Sequence, residues 1–126
     1  MENGGTTQEI VKVTYKTGDY AGEVVDRDER RILVKILSVL KHPTQGDLHH
    51  PYDPDVPLFH ERRALAYTEK VWIPRQGVEP YRGEVIAYAD SLKRALGAEI
   101  EQIDRLNRWS ARCLEQLDTL RKDYGY

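Results

Sequence analysis

The sequence predicts an α+β protein: a small SH3-like antiparallel β-barrel or sheet followed by an extended C-terminal helical region. Three observations carry that prediction. β-Branched and aromatic runs separated by glycine and polar turns crowd into residues 8–73. A proline-rich excursion at 41–61 interrupts them. From residue 98 onward, apolar side chains recur at three- and four-residue steps.

In chain order, residues 1–7 are small and polar and are expected to form a disordered start. A barrel is expected over 8–75. Its first strand is Ile10-Val11-Lys12-Val13-Thr14-Tyr15, with Thr17-Gly18-Asp19 as the turn. A second strand runs from Tyr20 to Asp26, where Gly22 permits a bulge or a close backbone approach. The polar run Asp26–Arg30 connects it to a third strand, Arg31 to Leu40. That strand is apolar on both faces near its centre and must be covered on both sides. Pro43, Pro51, Pro54 and Pro57 then prevent regular structure. A loop of that length in a compact domain binds something or packs on itself. Arg63–Tyr67 and Glu69–Ile73 read as two further short strands.

The helical tail spans 84–124, with a kink or break expected near Gly97. Ile100, Ile103, Leu106, Cys113, Leu114, Leu117, Leu120 and Tyr124 form its apolar stripe. The opposite-sign neighbours Asp104–Arg108 and Asp118–Lys122 sit four apart. Such a stripe must be covered. Docking on the barrel, with Trp109 at the margin and Cys113 as a small core residue, is the expected arrangement. Pairing with a second chain through the tail remains compatible with it.

Function classes narrow in the same way. A net charge of −2, with no basic block longer than a pair, argues against nucleic acid and against a membrane surface bound by bulk charge. The single cysteine, Cys113, excludes an internal disulfide and fits a reducing compartment. No signal peptide is read in Met1–Gly5, and no window is apolar enough to span a bilayer. The expected location is cytoplasmic, peripheral to a membrane only through a partner.

His42, His49, His50 and His60 all fall in or beside the long loop, and imidazole is a metal ligand. None shows a helical metal-binding spacing, so they are weak metal candidates and no cofactor is expected. Hydrogen bonding to loop carbonyls is the competing account of them. No nucleophile–base arrangement or phosphate loop is recognisable, and an enzyme is not expected. Aromatic side chains are the better cue, because tyrosine and tryptophan anchor interfaces. The expected partner-binding residues are His49, His50, Tyr52, Phe59, Glu61, Arg62, Tyr67 and Trp72.

Several segments are distinctive together. They are Tyr15-Lys16-Thr17-Gly18-Asp19-Tyr20-Ala21-Gly22-Glu23, Leu40-Lys41-His42-Pro43-Thr44-Gln45-Gly46-Asp47-Leu48-His49-His50-Pro51 and Val56-Pro57-Leu58-Phe59-His60-Glu61-Arg62-Arg63-Ala64-Leu65-Ala66-Tyr67. With Pro80-Tyr81-Arg82-Gly83-Glu84-Val85 they closely resemble the kinase-associated protein B family of spore-forming bacteria. The resemblance implies an antiparallel sheet or barrel with an extending helix. It also implies a non-catalytic accessory role, by protein–protein contact, toward a sensor histidine kinase of the phosphorelay that starts sporulation. A lipoprotein description comes with the family, although no lipobox is seen and the one cysteine stands at 113. A metal- or small-molecule-sensing domain built on the histidine loop is the alternative.

Overall fold

The structure, a computed structural model, describes residues 8–126; the disordered start expected at 1–7 lies outside the described residues. Five strands form one antiparallel sheet: β1 (Ile10–Tyr15), β2 (Gly18–Arg27), β3 (Arg31–Lys41), β4 (Lys70–Pro74) and β5 (Val78–Pro80). Their spatial order is β4-β3-β2-β1-β5, with a 3₁₀ turn, Arg75–Gly77, between the last two strands. β1 also lies against β4 and the 3₁₀ turn, so the sheet curls on itself in the SH3-like manner.

The first hairpin closes through Lys16-Thr17, both at positive φ, with Tyr15 paired to Gly18. Such a turn twists in the same sense as the strands it joins. Between β2 and β3 the register shifts at three places, including Ala21/Gly22, and each irregularity adds curvature. The close approach expected at Gly22 is present: a Cβ there would lie 2.4 Å from Val34 Cγ1 and 2.6 Å from the Lys35 carbonyl oxygen. The core fills the concave side with Val11, Val13, Tyr20, Ile32, Val34, Ile36, Val39 and Ile73. β3 alternates buried and half-buried residues along most of its length, as a covered central strand should.

Several expectations are corrected. Arg63–Tyr67 is not a strand. The edge of β3 that it would pair with is already used: β4 takes Arg31–Lys35, and the Val39 N–H further along donates to Ser91 Oγ of the helix at 2.8 Å. β5 was not foreseen, because three residues that include Pro80 carry almost no strand signal.

The helix, α1 (Tyr88–Tyr124), is a single 37-residue element. It starts later than 84 and does not break at Gly97. A glycine in an exposed helix interior costs only about 1 kcal/mol relative to alanine, too little to interrupt a ladder supported on both sides. No atom lies within 4 Å of a Cβ added at Gly97. Gly97→Ala is therefore expected to stabilise the helix by about 0.5–1 kcal/mol. Increased helicity by circular dichroism and a slightly higher melting temperature would show it; a loss of stability would restore the kink.

The helix is continuous and its stripe does not dock on the barrel: only Ser91 and Ala95 of α1 are buried. Tyr88, Ser91, Leu92 and Ala95 at its base pack against the core cluster, with Ser91 and Ala95 buried. Beyond Ala98 the helix projects for roughly 40 Å at 1.5 Å per residue. Trp109 is 64% exposed and Leu117 59% exposed. Cys113 is half-buried on the projecting segment rather than part of a core.

Candidate partner-binding site

Between β3 and β4 the chain makes its long excursion, and its neck is tightly pinned. Gln45 and Arg62 bond reciprocally: the Arg62 N–H donates to Gln45 Oε1 at 2.7 Å, and Gln45 Nε2 donates to the Arg62 carbonyl at 2.9 Å. The Arg62 guanidinium donates to the carbonyls of Thr44, at 2.5 Å, and Gly46, at 3.0 Å. The Gly46 N–H donates to the His60 carbonyl at 2.9 Å. Gly46 itself has φ +99°, and a Cβ on it would meet the Phe59 ring at 3.0 Å. Thr44 is tied to the first hairpin, its N–H donating to Thr17 Oγ1 at 2.9 Å.

The returning limb is held by two tyrosines. Tyr20, from the core, accepts the Leu65 N–H at 3.1 Å, while the Tyr88 hydroxyl donates to the Leu65 carbonyl. Burial pushes both phenols above the usual tyrosine value, with Glu69 adding to the effect at Tyr88. Both therefore stay protonated, as the Tyr88 donation requires. Near the tip, the His49 N–H donates to Asp47 Oδ1 at 2.8 Å and His50 Nδ1 lies 3.2 Å from Oδ2. These contacts hold the Asp47 carboxyl below the usual aspartate value.

This pinned loop faces the base of the projecting helix across a groove of about 1210 Å³. The loop wall offers Tyr52, Phe59 and Tyr67; the helix wall offers Tyr88, Leu92, Leu96, Ile100 and Ile103. Tyr67 and Tyr88 meet with ring centroids 5.8 Å apart. Tyr52 stands 86% exposed, on a backbone at φ +64°. A non-glycine residue in that left-handed conformation marks a site where local geometry is dictated by its surroundings. The rim is acidic: Asp47, Asp53, Glu61, Glu99 and Asp104 line it, against Arg62 and Arg63.

Of the residues expected to bind a partner, Tyr52, Phe59, Glu61, Arg62 and Tyr67 come together on this groove. The Arg62 guanidinium is spent on loop carbonyls, so it shapes the groove rather than contacting a ligand. His49 and His50 do not line it, and His50 is turned to Asp47. Trp72 stands apart on β4, where the Arg31 guanidinium sits 4.6 Å from its ring centroid. Of the weak metal candidates, only His42 reaches the groove, with Nδ1 3.0 Å from the Pro43 carbonyl oxygen. Among the described residues, no three His, Cys, Asp or Glu stand close enough to hold a metal ion. Ile100 and Ile103 of the stripe line the groove, whereas Leu106, Leu114, Leu117 and Leu120 lie further out along the helix.

Leu92 and Leu96 were not foreseen as site residues. The signal was the four-residue step Leu92–Leu96–Ile100, which runs straight through Gly97 and so continues the apolar row onto the groove.

Comparison with known proteins agrees with this architecture. The family model described as "Kinase associated protein B" matches residues 15–125. A relative named kinase-associated lipoprotein B, from Bacillus subtilis (strain 168), is 48% identical over 119 residues, covering 94% of this chain and 93% of that protein. The crystal structure of kinase-associated protein B from Bacillus cereus is similar at 43% identity and a TM-score of 0.67, covering 94% of this chain and 96% of that one. No described helix is long and apolar enough to cross a membrane. This chain belongs to the kinase-associated protein B family.

Proposed function

We propose that the chain is a non-catalytic accessory protein that supports a sensor histidine kinase of the sporulation phosphorelay. It does so by seating an apolar segment of the kinase, or of a protein associated with it, in the groove between loop and helix. The observation that carries this reading is the groove itself. Exposed aromatic side chains on one wall face an aliphatic row on the other, and the neck bonds of Gln45 and Arg62 hold the loop wall in place before anything binds. A preordered site loses less conformational entropy on binding. Its acidic rim favours a segment whose apolar residues are flanked by lysine or arginine. The family name supports a kinase as partner. Work from the cytoplasm, reaching the membrane through that partner, completes the proposal.

The test is the double variant Tyr52→Ala, Phe59→Asp. Both side chains are more than half exposed, so the fold should tolerate the change. Loss of two aromatic anchors should weaken association with the kinase at least about 30-fold. Co-purification with the kinase and spore yield are the readouts. Unchanged values for both, in a variant that melts like the parent, would sink the proposal.

A further inference from the structure

We propose that the projecting part of α1 pairs with a second copy of this chain as an antiparallel two-helix seam centred between Ser110 and Cys113. This inference goes beyond the kinase reading and does not depend on it.

The residues set the seam. Leu96, Ile103, Ser110, Leu117 and Tyr124 recur every seven positions, and Leu106, Cys113 and Leu120 each follow three later. Together they make the two core rows of a helix pair. The row is small in the middle and large toward both ends, so it is complementary to its own reverse. Antiparallel pairing sets Ser110 against Cys113 of the second copy, Leu106 against Leu117, and Ile103 against Leu120.

The charges are disposed to suit this. Arg108 Nε bonds Asp104 at 2.8 Å, Arg108 also approaches Glu101 at 4.0 Å, and Lys122 pairs with Asp118 at 3.2 Å. These pairs neutralise the opposite face within one helix and leave the core rows free. The remaining charge near the rows decides direction. Parallel pairing would set Glu99 against Glu99, two like charges in a core layer, and would bring both loop walls to the same end. Antiparallel pairing puts Glu99 beside Tyr124 of the second copy and near Arg121, which also bonds Asp118 of its own helix, and it opposes the helix dipoles.

The area is sufficient. Leaving Leu96 and Ile100 to the groove, seven large apolar side chains from Ile103 to Tyr124 are each at least 40% exposed. Their burial amounts to roughly 800 Å² per copy, the share of one partner in a standard-sized stable interface. The pairing also bears on the groove. The helix stops at Gly125, φ +84°, so Tyr124 of the second copy lands beside Glu99 and Ile100 and closes the groove's outer end.

Sedimentation of the full chain over a range of concentrations tests this directly. A dimer is expected, and Leu117→Asp should raise its dissociation constant at least about 100-fold without changing the melting temperature of the monomer. Direction is read by mild oxidation. The parent's Cys113 side chains are offset along the seam and should not crosslink, whereas Ser110→Cys should give a disulfide-linked dimer through Cys113 of the other copy. A parent chain that remains a monomer at all concentrations overturns the proposal. So does a parent that crosslinks through Cys113 as readily as the variant, or a Leu117→Asp chain that still sediments as a dimer.

Discussion

Gly22→Ala is expected to lower the stability of the barrel by at least about 3 kcal/mol, the largest effect of a methyl group added at any glycine among the described residues. Overpacking by a methylene ordinarily costs about 1–3 kcal/mol when neighbouring side chains can move. At Gly22 only one of the two obstacles is a side chain, Val34 Cγ1 at 2.4 Å. The other is the backbone carbonyl of Lys35 at 2.6 Å, which is fixed by the ladder between β2 and β3. Relief would require the strands to part where the register already shifts and where Val34 and Ile36 are fully buried. Domains of this size are held by only about 5–15 kcal/mol in total, so a large fraction of the variant should be unfolded under mild denaturant. The midpoint of urea unfolding measures it. A midpoint within 1 kcal/mol of the parent would show that β2 and β3 do not pair in this register.

How much of this fold was legible follows from where periodicity and tertiary geometry agree. β1, β2 and β3 announce themselves because their β-branched alternation is bounded by turns. Expected and observed ends of β1 coincide, at Ile10 and Tyr15. Arg63–Tyr67 carries the same local signal, yet it has no free edge to join, since Ser91 has taken the Val39 N–H. Competition for an edge is a long-range fact that no local pattern records. β5 fails in the opposite way: Val78–Pro80 says little locally and becomes a strand only because β1 offers it Val11, Lys12 and Val13.

The site was legible in half. Aromatic enrichment found the loop wall, Tyr52, Phe59 and Tyr67, because interface chemistry is visible in residue type. The helix wall was obscured by treating Gly97 as an interruption. Once the helix is continuous, Leu92 and Leu96 join Ile100 and Ile103 in one row, and the groove is formed by the angle between that row and the loop. Arg62 shows the converse limit. Its charge suggested contact with a partner, but the carbonyls of Thr44 and Gly46 take its guanidinium, and Gln45 takes its backbone N–H and carbonyl. His49 and His50 likewise suggested contact, and the Asp47 turn uses them locally.

The same geometry yields the strongest expected effect on function. Ala95→Asp should detach the base of α1 and abolish the groove without substituting any residue that lines it. Ala95 is 7% exposed and belongs to the core cluster, one turn from Ser91, which is 1% exposed. A carboxylate placed there without a partner costs about 3 kcal/mol or more. The cheapest escape is for the helix to lift away. Lifting releases the Val39 N–H from Ser91 Oγ and the Leu65 carbonyl from Tyr88, so the loop loses its second anchor together with its opposite wall. Amide exchange should therefore accelerate together at Val39, at Leu65 and over residues 88–100, and association with the proposed kinase partner should fall to background. Ala111→Asp, on the exposed part of the same helix, is the control and should leave barrel stability unchanged. Protection at Val39 that survives Ala95→Asp would mean the helix does not hold β3 in this way, and the groove would lose its structural basis.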